Sequence, residues 1–467
     1  MVKKRSITRF VILSIIALVL VLLTVCSFTI PGTTTNYNGF INSIPLGLDF
    51  SSGYSVVYNS EKSSSSDLTV SETIDQTLPK LDRFLSYHGF SEYTIAKQGD
   101  NQIKIEVLDD EYSSTILGLL ESPQQIYFTV EEYSEEEGGN TNPESYLGGS
   151  DISFAQVGYD QSAGVYGINI SLTGLGRISL QNLITQANNI GTDTVYIYVG
   201  EIGATAWGTI SVSDLRDGMF IQSSSASNTN SAYSTAYQTA SNIFVGTFGV
   251  NLTQDSLTAI SPRLGDNAWM LTLIAFLVFI VAIMIFFAVR YGDLGLLASF
   301  AMVFFVTLQL FFMQAIPFVM LDMGGVIAMF MSVLLFALSA VLIMERIGKE
   351  YALGNRIHVS CKNGFRRSFW RIFDLHIIVL VTSVVMLLIG QFALSYFGGV
   401  MFIASIVSMF CLYVLFRFFV NTYLPLNSTK PQKMRLYREA NVKEIKEEVE
   451  IIPEDKADSL KGGDNNG

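Results

Sequence analysis

The chain has 467 residues, of which 49% are hydrophobic and 15% charged, and a formal net charge of -12. The charged share lies well below the roughly 25% of soluble domains, which points to a membrane protein long enough for two substantial units. The acidic balance excludes the basic surface typical of nucleic-acid binders, so no nucleic acid is expected as a partner.

Residues 10–30 carry no charge and are long enough to cross a bilayer core at about 1.5 Å per residue. Lys3, Lys4, Arg5 and Arg9 precede them, which predicts an uncleaved first transmembrane helix with residues 1–9 in the cytoplasm.

Residues 31–265 read as an α+β extracytoplasmic domain. They hold 26 Asp/Glu against 8 Lys/Arg, a balance that keeps a domain solvated and away from anionic lipid. Cys26, Cys361 and Cys411 all lie outside this stretch, so it must rely on its own core rather than disulfides. His88, His358 and His376 show no ligand spacing, so neither a metal nor another cofactor is expected.

Residues 54–59 predict a strand by β-branched and aromatic content. Residues 71–88 predict a helix with Ile74, Leu78, Leu81, Phe84 and Leu85 on one face, Ser71 as cap, and a kink or break at Pro79. Strands at 93–96 and 103–107 around a 99–101 turn, a helix at 113–120 and a strand at 125–130 complete a βαββαβ order, the pattern of a ferredoxin-like unit.

The acidic, Gly/Asn/Ser-rich residues 131–150 predict a loop. Residues 157–187 read as a small α/β insert, 194–199 and 219–222 as strands, 223–231 as a Ser/Asn-rich linker and 233–248 as a helix. Phe154, Tyr159, Tyr166, Tyr196 and Tyr198 could line a chain-contacting surface, although aromatic residues at such positions are more often core.

The second half predicts transmembrane helices at 268–289, 294–315, 324–344, 375–394 and 400–420. Residues 345–374 form a basic loop with seven Lys/Arg and three Asp/Glu. An N-in start places that loop in the cytoplasm, as the positive-inside rule requires. The tail at 421–467 mixes eight Lys/Arg with nine Asp/Glu and is expected to be cytoplasmic, with a charged helix at 438–450. The expected fold class is therefore an α-helical membrane protein with six transmembrane helices plus an α+β extracytoplasmic domain containing a ferredoxin-like unit.

Several short stretches, in order, resemble the SecD subunit of the bacterial Sec protein translocase. Leu46-Gly47-Leu48-Asp49-Phe50-Ser51-Ser52-Gly53 is similar to that family's LGLDLxGG signature. The signature suggests a tight turn with Gly47 or Gly53 at positive φ, beside an Asp49 that caps the following amides and leads into a strand. Ile260-Ser261-Pro262-Arg263-Leu264-Gly265 resembles VSPTLG, with Pro262, Leu264 and Gly265 matching, and residues 291–298 resemble a YRxxGLxA turn. Val341-Leu342-Ile343-Met344-Glu345-Arg346-Ile347 is close to VLIFERI, with Glu350 and Asn363-Gly364-Phe365-Arg366-Arg367-Ser368 following. Ile372-Phe373-Asp374-Leu375-His376 resembles ILDxN, and Gly398-Gly399 matches a glycine-bearing turn.

The resemblance implies a bacterial plasma (inner) membrane protein of the RND superfamily, multi-pass, with both termini in the cytoplasm. It would be an auxiliary subunit of late-stage export, pairing with a SecF-like protein beside a SecYEG-type channel and the SecA motor. Its extracytoplasmic domain would grip precursor polypeptides, with motion driven by the proton gradient.

One departure bears on that last step. The family carries an Asp seven residues before the Glu of its ERI sequence, and an ionisable group inside a membrane is normally functional. Here that position is Leu338, Ala340 replaces the neighbouring Asn, and both Thr of the fifth span are lost. No Asp, Glu, Lys or Arg lies inside the predicted fourth or fifth span. Gln309, Gln314, His376 and Gln391 are the larger polar groups left, with His376 expected at the cytoplasmic interface and Asp322 solvated at the outer mouth. The scaffold thus lacks its own proton relay.

An RND-like transporter of a lipid or small molecule is the alternative, but it predicts intramembrane charges and two such halves. No nucleophile elbow, H-E-x-x-H, P-loop or Cys/His cluster suggests an enzyme, and a sensor rarely needs six spans.

Overall fold

In a computed structural model the protein is described at residues 2–29, 36–62, 69–110, 112–136, 139–141, 143–203, 205–222, 230–316, 319–427 and 431–436. Residues 223–229 of the linker expected at 223–231, and the tail beyond 436 with its expected helix at 438–450, lie outside those residues, while residues 230 and 231 are helical. Two units emerge: Met1–Phe50 with Arg263–Gly467, and Ser51–Pro262.

Unit 1 begins with helix α1 (Val2–Val25) and a short hairpin, β1 (Phe28–Thr29) with β2 (Asn36–Tyr37). The chain then enters unit 2 through β3 (Gly53–Lys62), α2 (Val70–Tyr87), β4 (Tyr93–Gln98) and β5 (Gln102–Leu108). Helix α2 is continuous, with Pro79 on its exposed face. Its cap is Thr69 rather than Ser71. Glu72 Oε2 accepts from the Thr69 amide (3.0 Å) and the Glu72 amide donates back to Thr69 Oγ1 (3.4 Å), a reciprocal box that Ser71 has no acid in place to make.

Helix α3 (Ser113–Leu119) and strand β6 (Ile126–Thr129) follow, but they do not close the first sheet. After a hairpin of β7 (Ser134–Glu136) and β8 (Gly139–Thr141) come β9 (Ser145–Gly148), β10 (Ile152–Asp160), β11 (Val165–Leu172), α4 (Gly174–Ile190), β12 (Thr194–Val199), β13 (Gly208–Ser211) and β14 (Met219–Ile221). Helix α5 (Asn230–Gly246) and strand β15 (Val250–Ile260) complete the unit.

The first sheet runs β15-β3-β5-β4, the second β13-β12-β6-β9 and the third β10-β11-β14, all antiparallel. Strand β6 pairs with β12 and β9, so the fourth strand beside β3 is β15, reached only after the α4 insert. The stretch at 131–150 expected as a loop supplies β7, β8 and β9. The core between α2 and α5 is aromatic: Phe84, Phe244 and Phe248 are fully buried, with ring centroids 6.4 Å (84–244) and 5.5 Å (244–248) apart. Removing such rings from water supplies much of a core's stabilisation.

The remainder of unit 1 is helical: α6 (Ala268–Tyr291), α7 (Asp293–Ala315), α8 (Met323–Ala352), α9 (Ile357–Ile389), α10 (Ala393–Phe410) and, after a π-helical turn at Cys411–Phe416, α11 (Arg417–Asn427). Among the described residues five helices are long and apolar enough to cross a membrane, and α1 adds a shorter apolar stretch, Ser14–Val25. The basic stretch at 345–374 is helical except at 353–356, because Ile357, Cys361, Phe365, Ser368 and Ile372 repeat at helical spacing and bury one face. Helix α9 ends at Ile389, short of the expected 394, where Gly390 and Gln391 turn the chain into α10.

Candidate functional site

Three sequence-distant stretches of unit 1 meet at the start of α8. The amide of Gly47 donates to the Leu321 carbonyl (2.9 Å), and the amide of Leu321 donates to Pro45 (2.9 Å). The amides of Arg263 and Leu264 donate to the carbonyls of Leu48 and Asp49, both at 3.1 Å. Asp49 Oδ2 accepts from the Met323 amide at 3.0 Å, and Asp322 Oδ1 caps the same helix through Gly325 at 2.7 Å. A helix N-terminus presents unpaired amides and positive potential, so two carboxylates there satisfy both demands.

This clasp corrects two expectations. Neither Gly47 nor Gly53 has positive φ. Asp49 reaches an amide 274 positions away instead of capping its own turn. Gly53 opens β3 in unit 2, Leu48 is buried, and Pro262 closes unit 2 while the exposed Leu264 and Gly265 open the return into unit 1. The only motif glycine here at positive φ is Gly265, at 94°. Asp322 is 3% exposed, not solvated. Burial raises its carboxyl pKa, the Gly325 amide opposes that rise, and the Asp49 carboxylate adds to it.

At the other end of α8, the buried charge is Glu350 rather than Glu345. Glu350 is 1% exposed and accepts from Arg367 Nη1 at 2.7 Å, with Arg346 Nη2 at 3.2 Å. Asn355 Nδ2 and Asn363 Nδ2 add bonds at 3.3 and 3.4 Å. The network ties α8 to the early turns of α9. Glu345 is exposed beside Tyr291, Arg346 is half-buried, and Asp374 is exposed, so these three motif residues do not converge.

Within the apolar helices the polar groups are few and only some are paired: Gln309 Nε2, Gln314 Oε1, Ser339 Oγ and the Tyr413 hydroxyl are buried without a partner. His376 is buried among the helices: Nδ1 lies 2.8 Å from the Ile372 carbonyl, Nε2 lies 3.1 Å from Ser408 Oγ, and Ser405 Oγ donates to the His376 carbonyl at 2.9 Å. Gln309 Oε1 accepts from Ser332 at 2.9 Å. Gln391 is exposed beyond the end of α9. Leu338 is 53% exposed and lines an apolar groove of about 520 Å³ with Phe286, Phe287, Leu334 and Val341. No lining residue of that groove is ionisable.

Unit 2 carries a tyrosine row that joins Tyr159 and Tyr166, two of the aromatic residues named from the sequence, to Tyr233, Tyr237 and Tyr87, which were not. Tyr159, Tyr166, Tyr233 and Tyr237 follow one another at centroid distances of 4.9, 5.3 and 5.9 Å, with Tyr87 another 6.3 Å on. A cavity of about 310 Å³ beside it is lined by His88, Tyr112, Leu119, Tyr233 and Tyr237 among others. His88 Nδ1 contacts the Tyr237 hydroxyl, its Nε2 is buried without a partner, and burial lowers its pKa to about 4. Phe154 and Tyr198 are core, as their type suggests, while Tyr159 is exposed.

No model of a known protein family matches the chain. It is 24% identical over 390 residues to the protein translocase subunit SecDF of Bacillus subtilis, covering 81% of this chain and 51% of that protein. It is also 24% identical over 395 residues to the protein translocase subunit SecD of Sebaldella termitidis, covering 85% and 93%. The chain thus spans about half the length of the SecDF relative and nearly all of the SecD one. Its fold matches the crystal structure of SecDF in the super-membrane-facing form with a TM-score of 0.68 at 20% identity, over 90% of this chain and 58% of the other.

Fold and apolar helices together define a multi-span membrane protein with a separate α+β unit, of the SecDF fold. The chain is a divergent relative of SecD, the protein translocase subunit.

Proposed function

We propose that this protein is an auxiliary, non-enzymatic subunit of Sec-dependent export that helps precursor polypeptides across the plasma membrane at a late stage. It works with a SecF-like partner beside a SecYEG-type channel and the SecA motor. In this reading α1 joins the five longer helices as a sixth span, both termini are cytoplasmic, and unit 2 is extracytoplasmic. The β15-β3-β5-β4 order supports a ferredoxin-like unit whose second half is α5 and β15. The tyrosine row offers flat, amphipathic surface suited to an extended chain of any sequence.

The observation that carries the reading is the clasp. The stretches containing Asp49 and Leu264, both similar to SecD sequence, are hydrogen-bonded to each other and to the start of α8. Leu338 in an apolar groove supports the further reading that this chain has no proton relay of its own. A SecF-like partner then supplies the ionisable groups, or the assembly works without the gradient.

The test is a pulse-chase of a secreted precursor in cells depleted of the protein, with the proton gradient intact and then collapsed. Depletion slows maturation; unchanged maturation in both conditions would overturn the export reading. Gradient-dependent stimulation that survives removal of every partner carboxylate would overturn the missing-relay reading.

A further inference from the structure

Helix α6 is lightly held in unit 1. Of its 24 residues only Phe276, Ile280, Phe287 and Tyr291 are buried, a single stripe at helical spacing, whereas its neighbour α7 buries 13 of 23. A helix seated on so narrow a stripe depends on how its two ends are fixed. At its start Trp269 packs on Phe50, with ring centroids 5.7 Å apart. At its end the fastening comes from far along the chain.

Helix α6 stops at Gly292, which sits at φ 58, and Asp293 opens α7. The segment 431–436 lies across that turn. A Cβ at Gly292 would run into the Lys433 carbonyl, a backbone atom that cannot swing aside. The Tyr423 hydroxyl of α11 donates to Asp293 Oδ2, so the helix that leads to the segment is tied to the same turn. Met434 and Leu436 are 2% and 5% exposed and belong to the helical core, while Gln432, Lys433 and Arg435 are exposed.

Arg435 sits at φ 50, one of two non-glycine residues at positive φ among those described. Such a conformation is unfavourable for a side-chain-bearing residue and persists only where its surroundings impose it. Here the Arg435 amide donates to the Gln432 carbonyl at 3.0 Å, and the residues on either side of Arg435 are both buried. Docking is thus favoured by two apolar side chains and opposed by one strained residue. Residues 437–467 continue directly from the segment and carry nine Asp/Glu against five Lys/Arg, so a contact made by that charged tail acts on the segment first.

We propose that residues 431–436 are a releasable strap. Docked, the strap clamps the α6–α7 turn. Undocked, it frees the last turns of α6 to shift on α7. Two buried side chains against one strained residue make a fastening with two accessible states rather than a permanent joint. Helix α6 follows β15 in the chain, so the strap sets how firmly the helix that receives the returning chain is held. The proposal goes beyond the export reading and holds whichever pole of the helices faces the cytoplasm.

Hydrogen exchange of the purified full chain in detergent tests it, read at residues 284–291 with α10 as the reference. Met434→Ser with Leu436→Ser favours release and raises exchange at 284–291 about tenfold. Arg435→Gly relieves the strained conformation and lowers it about threefold, less than the full strain because glycine gives up more freedom on docking. Lys349 and Arg435 line one cavity of about 280 Å³. In a Cys26→Ser background, Lys349→Cys with Arg435→Cys is therefore joined by a short bismaleimide, and the joined chain exchanges more slowly at 284–291 than the unjoined one. Exchange across α10 stays the same in every case.

If Arg435→Gly and the cross-link both leave exchange at 284–291 unchanged, the segment is a fixed part of the core and the proposal fails. It fails equally if the double serine variant raises exchange in α10 as much as in α6, or if the two cysteines cannot be joined. Precursor maturation enters none of these readouts, so the strap and the export reading stand or fall separately.

Discussion

The two units treat buried ionisable groups in opposite ways. In unit 1, Glu350 is 1% exposed yet surrounded by two guanidiniums and two amides, and Asp322 is 3% exposed yet spends its charge on a helix N-terminus. In unit 2, His88 is enclosed by aromatic rings with one nitrogen unpaired. At the two ends of α8 the helical unit pairs each of these carboxylates with several donors. The sheet unit instead holds the partly buried His88 uncharged among aromatic rings. Such pairing makes a rigid joint, whereas an uncompensated imidazole makes stability depend on pH.

The largest expected effect comes from the aromatic core that encloses His88. Phe244→Ala empties a fully buried ring position between Phe84, Phe154 and Phe248 and is expected to cost about 3–5 kcal/mol, read as loss of hydrogen-exchange protection in α2 and α5 of the full chain. In unit 1, Glu350→Ala strands Arg367 and Arg346 and is expected to cost about 2–3 kcal/mol, less than a wholly buried pair because Arg367 is half exposed. Thermal unfolding in detergent measures it. The double change Glu350→Leu with Arg367→Leu should recover most of the loss if compensation, and not packing, is what Glu350 provides.

Periodicity made α2 legible down to its face, because burial of one stripe repeats every 3.6 residues, while the apolar helices of unit 1 were legible from the length of their uncharged runs. It did not reveal β15. That strand lies at a sheet edge, and residues 253–259 of it, Thr-Gln-Asp-Ser-Leu-Thr-Ala, are mostly exposed, so no apolar alternation marks them. Assigning the fourth strand to β6 followed from proximity in sequence, which a long insert defeats. The α9 extension was readable in Ile357, Cys361, Phe365 and Ile372 but was masked by the basic residues between them. At the clasp, resemblance singled out Asp49 and Leu264 without showing that they meet. The pairing of Asp49 with Met323 depends on tertiary geometry and leaves no spacing signal.

The pH contrast follows from His88. Its folded pKa of about 4 lies below the ordinary 6.5, so between those values the unfolded chain binds the extra proton. Stability of unit 2 is therefore complete above pH 6.5 and falls as pH drops towards 4, by about 2 kcal/mol after allowing for partial exposure. His88→Gln should flatten that slope in hydrogen exchange of α2 and α5. A slope that persists unchanged would mean that carboxylates, not the imidazole, set the acid sensitivity.

The smallest expected effect lies at the clasp. Asp49→Ala removes one charge-assisted bond to the Met323 amide while Asp322 continues to cap α8, so the loss in thermal stability should be only about 1 kcal/mol. Its effect on precursor maturation should be larger than that number suggests. Asp49 belongs to the stretch through which the chain leaves unit 1 for unit 2, and its carbonyl also receives the returning strand at Leu264. Asp49→Asn keeps an acceptor oxygen at the same place and should restore both stability and maturation. If Asp49→Ala slows maturation no more than a surface change of equal stability cost, such as Arg177→Ala at its exposed pair with Asp217, the clasp is a fastening and not part of the export machinery.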